Sequence, residues 1–194
     1  MSIKYSEGAT PLEPDEIKGL LLTHITKRAE LDRWEMDNIN QAYQWTDQLK
    51  NSNILNEDFI RLLHKKMFGN VWKWAGQFRK SEKNIGIPWV EIPVELKLLC
   101  DDVNAWLEFD TYAADKFAAR FHHRIVYIHP FANGNGRHAR LMADLILEKI
   151  FNKHPFTWGR ASLTKQGESR KLYIEALKAA DDFDYSLLMK FVRS

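Results

Sequence analysis

A mainly α fold, a helical bundle carrying a short β-hairpin flap, is what this chain of 194 residues predicts. Apolar residues recur at helical spacing over most of its length, and turn residues are scattered between those runs. One stretch, Trp72 to Pro93, breaks the helical pattern with glycines and prolines. No internal repeat or low-complexity tract interrupts the chain, and an apolar fraction of 45% is enough for one globular unit with a core.

After a Pro-containing lead to about Pro14, the segment Asp15 to His24 carries Ile17, Leu20, Leu21 and then Ile25 at helical spacing, which predicts a first helix. A longer helix is expected from about Ala29 to Leu49. Asn56 has the side chain of an N-cap for Glu57 to Phe68, where acidic residues open the helix and Lys65 and Lys66 close it, matching the macrodipole at both ends. Gly69 stops it. From Trp72 to Pro93 the glycines Gly76 and Gly86 and the prolines Pro88 and Pro93 alternate with Phe78, Ile85, Ile87, Val90 and Ile92, whose side chains favour extended backbone, so a hairpin or flap is predicted. Helices resume over Val94 to Leu107 and Tyr112 to Ile128, the latter with Phe117, Phe121, Ile125 and Ile128 on one face. Leu141, Leu145 and Ile146 continue an apolar helix to about Phe151. Two more, near Glu168 to Ala180 and Tyr185 to Val192, close the chain. Residues 1–55 read as an N-terminal helical extension packed on a core of residues 56–194.

With 28 basic against 26 acidic residues the net charge is only +2, which argues against a nucleic-acid binder with a basic face, so any anion site should be local. Cys100 is alone and can form no internal disulfide or thiolate cluster, which fits a reducing, cytoplasmic setting. The opening residues lack a signal-peptide core, and no run of about 18 apolar residues offers a membrane span.

The stretch His129-Pro130-Phe131-Ala132-Asn133-Gly134-Asn135-Gly136-Arg137-His138-Ala139-Arg140 gathers a base, a glycine turn and two guanidiniums between two apolar helices. N–H groups at a helix start are unpaired and the dipole adds positive potential, so Gly134, Asn135 and Gly136 suit phosphate oxygens. Arg137 and Arg140 are three apart on the following helix, and each offers a planar fork of donors to a phosphate. His129, ionising near neutrality, can act as general base on a hydroxyl approaching that phosphate. The ordinary readings are a C-cap glycine, an Arg140 pairing with Asp144, and core or surface positions for His122, His123 and His138. Zinc ligation by His122, His129 and His138 has no supporting spacing.

These residues resemble the Fic domain family, whose motif HxFx(D/E)GNGRxxR is matched at every defined position except Asn133. The run His64-Lys65-Lys66-Met67-Phe68-Gly69-Asn70-Val71-Trp72-Lys73-Trp74-Ala75-Gly76, with Arg79, looks like the family's stretch before its flap, and Tyr173 to Leu177 with Asp184-Tyr185 is also family-like. The resemblance implies a helical bundle with a hairpin flap and transfer of AMP from ATP to a Ser, Thr or Tyr hydroxyl of a target protein. It makes His129 the base and Phe131 a core anchor. Asn135 and the loop amides would cradle the α-phosphate, and Arg137 and Arg140 would hold the β- and γ-phosphates. Lys83, Asn84, Ile85 and Gly86 would form the flap that pairs with the target backbone as an added strand. The family's carboxylate at position 133 coordinates Mg²⁺, for which Asn133 is a weaker ligand. Asn133 keeps open two other readings, a Doc-like protein kinase and a nucleotide-binding module without catalysis. Family members are also restrained by a helix bearing (S/T)xxxE(G/N), to which Thr26-Lys27-Arg28-Ala29-Glu30 is similar although Leu31 departs. Glu30 would then pair with Arg140; the alternatives are a solvated Glu30 and an antitoxin on a separate chain, as in bacterial toxin modules.

Overall fold

A computed structural model describes residues 12–49, 53–159 and 166–194, and the lead before Leu12 lies outside the described residues. Its helices are α1 (Pro14–Ile17), α2 (Arg28–Asp47), α3 (Glu57–Phe68), α4 (Ile92–Glu108), α5 (Ala114–Ile128), α6 (Asn135–Leu145), α7 (Gln166–Asp181) and α8 (Ser186–Val192). A 3₁₀ turn, Trp89–Glu91, leads into α4, and a π-helical turn, Ile146–Ile150, extends α6. No helix among the described residues is long and apolar enough to cross a membrane.

The bundle is built around α5. Phe117, Ala118, Ala119, Phe121, Ile125 and Ile128 are all buried, and the helix packs against α4, α6, α7 and α8. Removing such apolar area from water is the main force holding these helices together. α3 lies between α2 and α6, so Leu31, Ile39 and Ala42 of α2 join the same core as Ile60, Leu63 and Met67 of α3. Asn56 caps α3 as its sequence predicts, accepting the Phe59 N–H at 2.8 Å.

Two predicted elements are corrected. The first helix is a single turn: after Ile17 the chain turns and passes alongside residues 71–74, with Leu21 N–H donating to the Val71 carbonyl and Lys73 N–H to that of Gly19. Gly19 permits this close passage, since an added Cβ would stand 2.7 Å from the Trp74 ring. The flap is not a β-hairpin. Among the described residues only isolated bridges occur, Leu20 to Trp72 and Phe78 to Phe131. Its two limbs are tied instead by the Arg79 guanidinium, which donates to the carbonyls of Ser81 (2.9 Å) and Ile87. A buried side chain with five donors thus replaces the ladder that extended backbone would otherwise need.

Candidate active site

α5 ends where His129 adopts a left-handed conformation (φ 54°, ψ 58°), its N–H still closing the helix on Ile125. That reversal turns the chain back so that Phe131 bridges Phe78 and the Arg79 N–H reaches the Pro130 carbonyl at 2.9 Å. Arg79 also grips the His129 carbonyl from its side chain at 2.7 Å, joining flap and base through one guanidinium. The His129 side chain is buried at its base beneath Gly86, where an added Cβ would lie 2.5 Å from His129 Cβ. Burial, with the positive charges of Arg79 and Lys83, pushes its pKa down to about 4, and a weak contact from Nδ1 to the Val126 carbonyl (3.4 Å) opposes this. A carbonyl can only accept, so Nδ1 carries the proton and Nε2 holds the lone pair.

The loop after His129 is held from beneath. His64 stacks on Phe131 with ring centroids 3.7 Å apart, donates from Nε2 to the Asn133 carbonyl (3.0 Å) and accepts the Gly76 N–H at Nδ1 (3.0 Å). Both ring nitrogens are engaged, so His64 is neutral, and burial holds it well below its ordinary pKa. The Asn135 side chain is committed twice to Phe131, accepting from its N–H (2.9 Å) and donating to its carbonyl (2.8 Å). What Asn135 offers an anion is therefore its backbone N–H, one of the first groups of α6, which have no helical acceptor. Gly134 opens α6 at φ 80° with Phe68 so close that a Cβ would sit 2.6 Å from the ring, whereas a Cβ on Gly136 would meet nothing within 4 Å. The floor of this turn is packed and its outer side is open.

The two arginines are one turn apart but drawn to different neighbours. Arg137 lies over Phe68, 4.8 Å from the ring centroid, and donates to Glu35 Oε2 (2.7 Å) and Asn133 Oδ1 (3.3 Å). Arg140 packs on the rings of Tyr173 (4.7 Å) and Trp158 (5.8 Å). Tyr173 meets His122 Nε2 at 2.9 Å, and Trp158 Nε1 donates to Asp144, so this platform is itself braced. Glu35, buried on α2, also accepts from Trp72 Nε1 at 2.7 Å. Glu30 and Thr26 do not reach the loop: both are exposed, beside a groove lined by His24, Arg33 and Trp34. The acid that α2 presents to the motif is Glu35, five residues on, and its partner is Arg137 rather than Arg140.

Asn84, Ile85 and Gly86 are exposed as a docking flap requires, but the Lys83 side chain is 1% exposed and pairs with Glu16 (2.5 Å). It is a support inside the flap, not a group displayed to a partner. Asn133 Oδ1 accepts from the Gly134 N–H (2.7 Å) as well as from Arg137, and no group of three or more His, Cys, Asp or Glu side chains among the described residues could hold a metal. A single neutral oxygen with two donors on it does not fit a protein-held Mg²⁺. His123 and His138 are core groups bonded to Asp181 and to the Ile60 carbonyl. Sequence reasoning missed His64 as a support and Glu35 altogether; His64 stood in the quoted stretch before the flap, whereas nothing near Glu35 signalled its distant partner.

Residues 54–147 match the model of the Fic/DOC family. The chain is 27% identical over 180 residues to protein adenylyltransferase Fic of Aedes aegypti, covering 87% of this chain and 34% of that protein. It is 27% identical over 175 residues to the protein of the same name from Nematostella vectensis, covering 87% and 39%. It thus spans about a third of the length of these curated relatives. Among solved structures, the fold is shared with a fragment of Fic-1 from C. elegans (TM-score 0.67, 22% identity, 94% of this chain and 54% of that one). It is shared also with BepC of Bartonella tribocorum, solved with bound AMPPNP (TM-score 0.69, 18% identity, 89% of each). The segment from 54 to 147 is thus similar to the Fic/DOC family, and the chain shares the fold of these solved Fic structures.

Proposed function

We propose that this chain transfers AMP from ATP to a Ser, Thr or Tyr hydroxyl of a target protein. The observation that carries this reading is the His129 imidazole placed where α5 hands over to a glycine turn opening a helix. In the reaction the target oxygen forms a bond to the α-phosphorus, the bond from that phosphorus to the bridging oxygen breaks, and pyrophosphate leaves. His129 Nε2 takes the hydroxyl proton as the oxygen attacks. With a pKa of about 4 the resting imidazole is unprotonated throughout the neutral range and ready to accept that proton, which it passes to water before the next turnover.

The N–H groups of Asn135 and Gly136 face the α-phosphate, where Gly136 leaves room for oxygen. Arg137 and Arg140 hold the β- and γ-phosphates and stabilise the charge that develops on the leaving pyrophosphate. Asn84, Ile85 and Gly86 seat the target backbone. Mg²⁺, where it takes part, arrives with the nucleotide, since the loop lacks an anionic oxygen at position 133. The names of the curated relatives support the chemistry. The described part of the N-terminal extension, residues 12–49, packs on the core, with self-restraint exerted by Glu35 holding Arg137.

The test is incubation of the protein with ATP, Mg²⁺ and a cell lysate, followed by mass spectrometry of the proteins. AMP on a hydroxyl, lost by about 10²-fold or more in His129→Ala, is expected. Phosphate in its place would make the chain a kinase, and no modification with ATP still bound would make it a binding module.

A further inference from the structure

The family match begins at residue 54, yet the flap is held from outside it. The Glu16 carboxylate, in the single turn of α1, takes Lys83 Nζ at 2.5 Å and the Glu13 N–H at 2.7 Å on Oε2, and Ser81 Oγ at 3.1 Å on Oε1. Its carbonyl accepts Trp74 Nε1 at 3.0 Å, and Gly19, three residues on, accepts the Lys73 N–H. The N-terminal segment is thus anchored to the base of the flap by its backbone and to the flap's own limb by one side chain.

The energetics run through Lys83. Its side chain is 1% exposed and that of Glu16 only 14%, so the ammonium sits out of water against a carboxylate. Removing one partner of a buried pair leaves an uncompensated charge that must find water, a far larger penalty than losing an exposed ion pair. Gly86 lies three residues further along the same limb, packed on His129 at a φ of 99°. A shift at Lys83 therefore reaches the surface beside the base. The Lys83 charge also acts on His129 itself, as one of the groups lowering its pKa.

From this geometry we infer that Glu16 is a positioning residue: through Lys83 and Ser81 it fixes the flap in the one placement that leaves a target strand beside His129. The inference rests on the transfer reading above. It predicts that target binding depends on the N-terminal segment while nucleotide binding does not, because Glu16 touches the flap and no part of the anion turn.

Hydrogen exchange and AMP transfer are compared for the full chain and for Glu16→Gln, Glu16→Asp, Lys83→Met and the Glu16→Gln/Lys83→Met double variant. In Glu16→Gln, amides of residues 80–87 are expected to exchange about tenfold faster while α3 and α5 keep their protection. The half-saturating lysate protein concentration for AMP incorporation rises by about fivefold or more, and that for ATP stays put. Glu16→Asp, which keeps the charge, recovers most of both. Because the two changes share the Lys83 contact, the double variant falls short of the sum of the single variants and exceeds Lys83→Met only by what the Ser81 contact contributes. Unchanged exchange at 80–87 in Glu16→Gln overturns the positioning role, as does an equal rise in both half-saturation values. If the wild-type protein modifies nothing, the transfer reading falls, and the exchange comparison alone decides whether Glu16 holds the flap.

Discussion

Arg137 donates to Glu35 across 2.7 Å, so the guanidinium nearest the glycine turn is held by a carboxylate of α2 before any phosphate arrives. A phosphate must compete with that carboxylate for the same donors. Glu35→Gln removes the charge while keeping an acceptor for Trp72 Nε1. The expected result is ATP binding tightened by roughly three- to tenfold and folding weakened by about 1 kcal/mol, read by calorimetry and by thermal melting. Thr26→Ala and Glu30→Gly, at exposed positions, should leave ATP binding unchanged, the glycine costing about 1 kcal/mol of helix stability on its own. ATP affinity unchanged in Glu35→Gln would mean that Glu35 orients Arg137 without restraining it. His129, Gly134 and Arg137 were legible in the sequence because their chemistry is packed into twelve consecutive residues. Glu35 was not, since its partner is 102 residues away and its own helix reads as an ordinary charged one.

At the scale of elements, the two glycines of the turn do different things. Gly134 is needed for the fold: its φ of 80° strains any side chain, and Phe68 occupies the space a Cβ would take. Gly134→Ala should lose about 2–3 kcal/mol from backbone strain and overpacking together, seen as a drop of roughly 5–10 °C in melting temperature. Gly136 stands inside α6 with open space in front of it, so Gly136→Ala should leave stability within about 1 kcal/mol of wild type or raise it. The same methyl stands where a phosphate must approach, and ATP affinity should fall by about tenfold or more. Similar melting shifts in the two variants would refute this division. Helix α3 was legible to the residue because its cap, dipole charges and apolar face agree. The flap was read one step wrong: Ile85, Ile87 and Val90 do favour extended backbone, but Arg79 supplies the cross-links that a hairpin ladder would have made. Propensity reports what a segment tolerates, and a buried guanidinium from the same segment decided its form.

Across the whole molecule, the helices meet around imidazoles. His64 joins α3 to the anion loop, His122 joins α5 to α7, His138 joins α6 to α3, and His129 ends α5. All four are buried, and burial lowers each: His122 to about 3, His129 and His138 to about 4, and His64 well below its ordinary value. In the unfolded chain each would bind a proton below about pH 6.5, whereas in the folded state His129 and His138 resist until about pH 4, His122 until about pH 3, and His64 until well below its ordinary value. Between those limits the unfolded state holds more protons, so stability rises with pH there and falls as the solution is acidified. Above about pH 6.5 the contribution is complete; below it each histidine removes up to about 1.4 kcal/mol per pH unit until its folded pKa is reached. Several acting together remove an amount comparable with a typical stability of about 5–15 kcal/mol. Denaturant titrations at intervals from pH 8 to pH 4 should therefore show a plateau to about pH 6.5 and a steep fall beneath it. His138→Gln, which keeps a donor for the Ile60 carbonyl, should reduce that slope by about one proton's worth even if it lowers stability at pH 8. A flat profile from pH 7 to pH 5 would show that the histidines take up protons in place, and that the contacts joining α3, α5, α6 and α7 through them do not require neutral rings.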